Sequence, residues 1–285
     1  MLRAIRFRPP LGEENTDGAS GSAREGPGYP FHIPALQGVD EVGLDAPVVF
    51  LVGENGSGKS TLLEALAVAT TLPTLGSEPA HRAPTLVGPA RLAARLRLSW
   101  SRKPGRGFFL RAEDVFGFIL ALRAQRRELE AELAATRVRM EGASDYAMGL
   151  ALGPHRASLG AMQARYGEDP DARSHGELFL HLFRERIVPE GLYLLDEPEA
   201  ALSPTSQLAL IALMDEAVGN GCQFVIATHS PLLLAIPEAL RLSFDREPLA
   251  PVAWDELESV RLWRDVLTAP DRFLRHLWTG RGEDG

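Results

Sequence analysis

One stretch of the sequence carries glycines and a lysine at the spacing that a phosphate-binding loop requires. Residues 53–60 read Gly-Glu-Asn-Gly-Ser-Gly-Lys-Ser and fit the pattern G-x-x-x-x-G-K-[ST] at every required position. Glycines permit backbone angles that let successive N–H groups point at one phosphate. Lys59 would place its ammonium between the β- and γ-phosphates of a nucleotide, and the Ser60 hydroxyl would ligate Mg²⁺. The residues expected to bind the nucleotide here are Gly53, Glu54, Asn55, Gly56, Ser57, Gly58, Lys59, Ser60 and Thr61.

The elements predicted on either side of this loop are those that phosphate binding needs. The apolar run 48–52 predicts a buried strand before the loop, and residues 60–67 predict a helix after it. The N-terminus of that helix would add its partial positive charge. A glycine-rich turn with a chance lysine would lack this context. The chain also has 28 arginines but only two lysines, Lys59 and Lys103, so a lysine at this position is informative.

Two neighbouring carboxylates follow a second apolar strand, predicted over residues 192–195. In P-loop NTPases an aspartate at the position of Asp196 holds Mg²⁺. The adjacent Glu197 can orient and deprotonate an attacking water. Two like charges at the end of a strand repel each other, so a nearby cation would explain the pair. Taken alone, an ordinary acidic loop remains the alternative.

The order of the motifs resembles that of ABC-type ATPases. Residues 196–203 look like their Walker B and D-loop run, and residues 227–231 look like their H-loop, with His229 as the switch histidine. Upstream of Asp196, three residues resemble the signature motif in the S-x-G-E form of the SMC/RecF-like branch: Ser174, Gly176 and Glu177. As a whole, the chain is most similar to small stand-alone bacterial predicted ATPases of the AAA-type/ABC-like group.

The resemblance implies that two copies of the chain act together. A head-to-tail homodimer would hold each ATP, with Mg²⁺, between the phosphate loop of one copy and the signature residues of the other. Ser174 and Gly176 would contact the γ-phosphate from the second copy, and residues 199–203 would cross the interface. Glu197 would be the catalytic base, assisted by His229 and Lys59.

The sequence departs from the ABC pattern at two motifs. Transporter subunits carry L-S-G-G-Q, whereas here His175 follows the serine and Glu177 replaces the glutamine. The glutamine expected after the next strand is replaced by Glu113, which we assign to the metal site with Ser60 and Asp196. Two aromatic residues upstream of the phosphate loop are candidates for stacking on adenine, Tyr29 and Phe31.

Apolar strands that alternate with helices predict an α/β fold with a mixed, largely parallel sheet flanked by helices. We expect a single ATPase domain over 1–285, with a helical insertion over 114–173 that ends before the signature helix. A C-terminal extension over 238–285 is expected to pack on the core. Residues 2–8 predict a strand, and residues 91–100 and 107–112 predict two strands joined by the turn 103–106.

Charge and cysteine content limit the partners and the compartment. The net charge is −8, yet residues 80–112 hold eight basic residues and no acid, which leaves 22 basic against 38 acidic residues elsewhere. A protein partner or internal ion pairs are favoured over nucleic acid as the role of this basic segment. The lone Cys222 and the lack of a long apolar run predict a cytoplasmic protein that does not enter a membrane.

The leading functional hypothesis is an ATP hydrolase that works through ATP-dependent dimerisation. The alternative is a nucleotide-gated binding module with little turnover that recruits an effector such as a nuclease. Glu197 favours the hydrolase, because a sensor has no need of a catalytic base. An ABC transporter's ATP-binding subunit is less favoured because of the signature, and a helicase because 285 residues leave no room for a second core.

Overall fold

A computed structural model of the chain describes residues 1–8, 28–74, 87–166, 175–275 and 277. Its strands are β1 (Leu2–Phe7), β2 (Glu41–Gly43), β3 (Val48–Val52), β4 (Leu96–Trp100), β5 (Gly107–Arg111), β6 (Leu192–Asp196), β7 (Gln223–Ala227), β8 (Leu240–Ser243) and β9 (Ala250–Pro251). Its α-helices are α1 (Lys59–Thr70), α2 (Val87–Ala93), α3 (Ala112–Arg139), α4 (Asp145–Tyr166), α5 (His175–Arg186), α6 (Pro204–Gly219), α7 (Glu258–Thr268) and α8 (Pro270–Leu274).

The larger sheet in the described part of the chain has the strand order β5-β6-β7-β3-β8-β9. The five strands β5, β6, β7, β3 and β8 are parallel to one another, and β9 is antiparallel to β8. β3 and β7 are buried along their whole length, as the apolar runs of a parallel sheet covered on both faces should be. The predicted α/β fold with a mixed, largely parallel sheet and flanking helices is confirmed.

Alternate residues of the central strands enter two hydrophobic cores. On one face, Leu51, Leu194 and Val225 pack with α1, α2 and the segment 31–44. On the other face, strand residues such as Phe50 and Tyr193 pack with α5 and α6. This alternation follows from the two-residue period of a strand, and it places a helical layer on each side of the sheet.

A smaller antiparallel sheet, with the order β2-β1-β4, lies beside the larger one. The buried side chain of Gln223 at the start of β7 joins the two. Gln223 Oε1 accepts a hydrogen bond from Leu2 N at 2.7 Å, and Gln223 Nε2 donates to Leu2 O at 2.9 Å and to Leu44 O at 2.9 Å. A buried amide with its donors and acceptor paired fixes the N-terminal strand against the core.

The expected pair of strands at 91–100 and 107–112 is not formed. Residues 87–93 are helical, and their buried Leu92 and Ala93 pack in the same core as α1. Strand β4 begins at Leu96 and pairs with β1, whereas β5 pairs with β6 in the other sheet. Alanine-rich residues 90–94 favour a helix. A Cβ on Gly107 would lie 1.8 Å from the Leu192 carbonyl oxygen, so the glycine allows β5 to approach β6.

Helices α3 and α4 lie between β5 and the signature helix α5 and pack against each other. The segment from residue 238 onward supplies β8, β9, α7 and α8, so that part of it extends the main sheet. Among the described residues, no helix combines the length and apolar character needed to cross a bilayer.

Candidate nucleotide site

The carboxyl ends of parallel strands meet along one edge of the main sheet, which is where open α/β sheets bind ligands. The phosphate loop, residues 53–60, follows β3. Asp196 ends β6, residues 228–230 follow β7, and Asp245 follows β8 by two residues. The strand order β6-β7-β3-β8 therefore brings segments that are distant in sequence to one place.

Two glycines of the phosphate loop are required by its shape. Gly53 has φ +144° and Gly58 has φ +107°, backbone angles that residues with a Cβ rarely adopt. A Cβ on Gly53 would lie 2.9 Å from Asp245 Oδ1, and one on Gly58 would lie 2.6 Å from Ile33 Cγ2. The loop is thus packed closely on both sides, and Gly58 directly precedes the first residue of α1.

The Lys59 ammonium lies inside the phosphate loop. Lys59 is only 4% exposed, and Nζ donates hydrogen bonds to Gly53 O at 2.7 Å and to Glu54 O at 2.6 Å. Burial lowers the pKa of Lys59, and the nearby carboxylates, Glu197 foremost, oppose that shift. The loop carbonyls therefore hold the cation where a phosphate would be cradled.

The Ser60 hydroxyl and the Asp196 carboxylate are in direct contact. Ser60 Oγ donates to Asp196 Oδ1 at 3.0 Å. Burial raises the pKa of Asp196 to about 6, against the opposing effects of the Ser60 hydrogen bond and of Arg111. Arg111 ends β5 opposite Asp196 in register and forms an ion pair with Glu64 of α1. A cation beside Asp196 would offset the free-energy cost of burying its negative charge.

Ser60 and Asp196 fit Mg²⁺ in the way that nucleotide sites use it. Mg²⁺ takes oxygen ligands, and in such sites one or two protein oxygens share it with substrate phosphates and water. The described residues contain no group of three or more His, Cys, Asp or Glu side chains that could hold a metal without such a substrate. The hydroxyl–carboxylate pair could supply protein oxygens to a Mg²⁺ ion shared with a nucleotide.

The backbone turns sharply at Glu197, directly after the end of β6. The φ of Glu197 is +49°, and its N–H donates to Ala227 O at 2.9 Å. The side chain is about half exposed, and its Oε1 lies 3.8 Å from His229 Nε2. Within the described residues, His229 Nε2 makes no hydrogen bond although it is buried. The acid and the imidazole thus lie close together beside the phosphate loop.

Glu199 connects the loop that carries Glu197 to the loop that carries His229. Its Oε1 accepts hydrogen bonds from the Thr228 hydroxyl at 2.7 Å, from His229 N at 2.7 Å and from Ser230 N at 3.2 Å. The Ser230 hydroxyl in turn donates to Gln207 Oε1 at 2.6 Å. Charge-assisted bonds to a carboxylate are stronger than those between neutral groups. Glu199 therefore fixes the position of the His229 backbone.

Sequence reasoning gave no role to Asp245 and counted Glu199 only within a D-loop. Asp245 Oδ1 accepts a hydrogen bond from Glu54 N at 2.8 Å and so holds the start of the phosphate loop. The position of Asp245 follows from the pairing of β8 with β3, which no local pattern encodes. The sequence does mark Glu199, since it lies two residues after Glu197. Its hydrogen-bond partners, however, follow a different strand, β7, and cannot be identified from the local pattern.

The remaining residues of the phosphate loop differ in exposure. Glu54, Asn55 and Gly56 face solvent. The buried Ser57 hydroxyl has no hydrogen-bond partner among the described residues. Thr61 Oγ1 lies 3.2 Å from the hydroxyl of Tyr29.

Of the two aromatic candidates, only Tyr29 is placed to meet a ligand of the phosphate loop. Tyr29 is 49% exposed, whereas Phe31 is 5% exposed. The guanidinium groups of Arg91 and Arg95 lie 5.1 and 4.2 Å from the Phe31 ring centroid. Phe31 is therefore occupied as a core residue with cation–π neighbours.

The described residues of the signature motif lie at the start of α5. A Cβ on Gly176 would lie 3.2 Å from Ser206 Oγ and 3.4 Å from Ala201 O, so the start of α5 packs against the segment 198–206. Glu177 is exposed in the first turn of α5. Ser174 lies outside the described residues, as do the side chains of His175 and Glu113. The backbone of Glu113 belongs to the first turn of α3, because β5 ends at Arg111.

Two segments of the chain match models of known families. Residues 35–92, which contain the phosphate loop, match a model described as "AAA domain". Residues 177–235, which contain Asp196, Glu197 and His229, match a model described as "AAA domain, putative AbiEii toxin, Type IV TA system". A search of curated proteins finds no match.

Solved structures with a related arrangement are distant. One is described as "An inward-facing conformation of a putative metal-chelate type ABC transporter", with 18% identity over 76% of this chain and 76% of that one, and a TM-score of 0.39. Another is the Smc head domain from Pyrococcus furiosus with an extended coiled coil, bound to the C-terminal domain of ScpA. It has 11% identity over 80% of this chain and 95% of that one, and a TM-score of 0.38. Neither likeness is close enough to carry an argument about this chain.

Proposed function

We propose that this chain, which matches AAA-domain family models over residues 35–92 and 177–235, is an ATPase. It would bind ATP with Mg²⁺ at the carboxyl edge of the sheet and hydrolyse it in an ATP-dependent dimer. One observation carries the proposal. The buried Lys59, the Ser60–Asp196 pair and the Glu197–His229 pair all lie at the ends of adjacent strands.

The triphosphate would lie in the loop of residues 53–60. Lys59 would exchange its bonds to the loop carbonyls for bonds to the β- and γ-phosphates, and the N-terminus of α1 would face the same charge. The unpartnered Ser57 hydroxyl would gain an acceptor. Ser60 and Asp196 would hold Mg²⁺, which neutralises charge on the β- and γ-phosphate oxygens.

Hydrolysis would use Glu197 and His229 on the γ-phosphate side. Glu197 would orient a water molecule and accept its proton as the water attacks phosphorus, while the bond to the β–γ bridging oxygen breaks and ADP leaves. His229 Nε2, which lacks a partner within the described residues, would contact a γ-phosphate oxygen. The chemistry therefore depends on positioning and electrostatics rather than on a covalent intermediate.

Dimerisation would complete the site. The start of α5 packs against the segment 198–206 of its own chain, where Gly176 is buried and Glu177 is exposed. A head-to-tail pair would bring Ser174, Gly176 and Glu177 to the γ-phosphate of the partner's ATP.

Phosphate release and molecular mass, measured together on the full chain, test this proposal. We expect Mg²⁺-dependent release of phosphate from ATP and a shift from monomer to dimer when hydrolysis is blocked. A dimer that forms with ATP but releases no phosphate would favour the nucleotide-gated binding module. A chain that neither binds nor hydrolyses ATP would exclude both.

A further inference from the structure

A cavity of about 690 Å³ lies at the edge of the main sheet opposite the nucleotide site. It is lined by residues 70–74 at the end of α1, by residues 103–108 at the start of β5, and by residues 185, 186 and 188 at the end of α5. Because α1 leaves the phosphate loop and ends here, the length of this helix separates the two sites. The volume falls within the range of pockets that hold small organic ligands.

The walls of this cavity are rich in cations although the chain is acidic. Lys103, Arg106 and Arg186 line it, and Glu185 is the only acid among the described residues that do so. The net charge of the whole chain is −8, and Lys103 is the second of its two lysines. A local excess of positive charge in an acidic protein attracts anions.

None of these three cations forms an ion pair within the described residues, whereas their neighbour Arg102 does. Arg102 forms an ion pair with Glu190, and the Arg106 carbonyl accepts a hydrogen bond from Leu192 N at 3.1 Å. These contacts anchor the loop 101–106 against the segment before β6. No hydrogen bond or ion pair of the described chain involves the side chains of Lys103, Arg106 or Arg186. The anchored backbone holds Lys103 and Arg106 at the cavity, and neither side chain has an ion-pair partner among the described residues.

The end of α1 does not use these cations either. Its last carbonyls are bonded locally: the Thr70 hydroxyl donates to Leu66 O at 2.6 Å, and Thr71 N donates to Val68 O at 3.1 Å. The Thr71 hydroxyl donates to Thr70 O at 2.7 Å. Among the described residues, no hydrogen bond joins Lys103 or Arg106 to the end of this helix. Arg186 lies in the last turn of α5, where a helix C-terminus favours a cation.

We propose that this cavity binds the phosphate of a nucleotide unit, carried either by a free nucleotide or by single-stranded nucleic acid. Lysine offers three donors and each arginine five, which suits the several oxygens of a phosphate. Trp100, which is partly exposed, adds apolar wall against which a base can lie. A site of this size accepts one nucleotide unit and excludes a duplex. The site is separate from the ATP site and does not depend on its activity.

Binding to the full-length chain, with Lys59→Ala introduced to disable the phosphate loop, tests the proposal. The probes are AMP, measured by calorimetry, and a fluorescent six-nucleotide oligothymidylate, measured by anisotropy at low salt. We expect Lys103→Ala combined with Arg106→Ala to weaken binding about tenfold and to reduce the salt dependence of oligonucleotide binding. The matched control combines Arg8→Ala with Arg156→Ala, two exposed arginines, and should bind as the parent does.

Each result decides the matter. Loss of binding that is confined to the Lys103/Arg106 variant supports the site. If AMP alone binds, the ligand is a free nucleotide. If the oligonucleotide binds, the ligand is a single strand. Equal loss in the control variant, or no binding of either probe to the parent, overturns the proposal. The oligonucleotide measurement is repeated without Lys59→Ala, so that the result does not rest on the folding of that variant. Because ATP hydrolysis is measured separately, its absence would leave this test intact.

Discussion

The carboxylate oxygen Glu199 Oε1 lies 2.7 Å from the backbone nitrogen of His229 and accepts its hydrogen bond. The same oxygen accepts a hydrogen bond from the Thr228 hydroxyl, also at 2.7 Å. Glu199 belongs to the short 3-10 helix that follows Glu197. One carboxylate therefore joins the segment of the proposed base to the segment of the proposed γ-phosphate contact, and the distance between Glu197 and His229 depends on it.

Replacing Glu199 should lower turnover more than ATP binding. Glu199→Ala removes three hydrogen bonds from the 228–230 segment, so we expect kcat to fall roughly tenfold to a hundredfold, because a displaced catalytic group loses its positioning, while the KM for ATP changes little. Glu199→Gln keeps an acceptor and should recover part of the loss. The exposed Glu216→Ala is the matched control. A KM increase without a fall in kcat would contradict this positioning role.

Replacing Glu197 should stop hydrolysis and preserve ATP binding. Glu197→Gln retains the size of the side chain but cannot accept a proton, and loss of a general base costs about 10²- to 10⁴-fold in rate. We expect this variant to accumulate as an ATP-bound dimer, seen as a shift in mass by light scattering. A variant that stays monomeric at saturating Mg-ATP would contradict the head-to-tail dimer.

Replacing Lys59 should abolish ATP binding. Lys59→Ala removes the buried ammonium that the loop carbonyls hold in place, and no other lysine lies in this loop. Calorimetry with Mg-ATP measures the loss, and a circular dichroism melt establishes that the variant is folded. Affinity equal to that of the wild type would show that residues 53–60 are not the nucleotide site.

Alanine substitutions at two glycines distinguish the effect of backbone strain from the loss of the nucleotide site. Gly58 and Gly38 both have positive φ, +107° and +68°, so alanine is strained at either position. Only at Gly58 would the added Cβ meet a neighbour, Ile33 Cγ2 at 2.6 Å, whereas nothing lies within 4 Å at Gly38. We expect Gly58→Ala to lose ATP binding and Gly38→Ala to lose only about 1 kcal/mol of stability. Equal ATP affinity in both variants would contradict the assigned loop shape.

The raised pKa of Asp196 predicts a pH-dependent stability without ligand. In the native chain the Asp196 carboxyl keeps its proton up to about pH 6, whereas the ordinary pKa of an aspartate is 3.8. The stability that protonation provides is therefore present below pH 3.8 and is lost as the pH rises through about 6. Between pH 4 and 7.5, Asp196→Asn should gain roughly 2–3 kcal/mol of unfolding free energy relative to the wild type.

Urea unfolding in EDTA at the two pH values measures this difference. Asp215→Asn, at an exposed position on α6, serves as the control and should keep a constant difference from the wild type. If the Asp196→Asn difference were also constant, the carboxyl would not be protonated in the free chain at pH 4 to 6.

The site could be predicted where its residues are local in sequence. The spacing of residues 53–60 and the pair Asp196–Glu197 is enough to predict their chemistry. The prediction that buried strands precede both is confirmed. Contacts that depend on strand order could not be predicted, because pairing partners are not encoded locally. Asp245 at the phosphate loop and the separation of β4 from β5 into two sheets both belong to this class.

The bond between Glu54 N and Asp245 Oδ1 joins residues 191 positions apart. During synthesis, the phosphate loop emerges before the carboxylate that closes it, which follows Glu54 by 191 residues. Until then β3 has an unpaired edge, because β8, its neighbour on that side, has not yet been made. The phosphate loop should therefore take its final shape only once residue 245 is outside the ribosome.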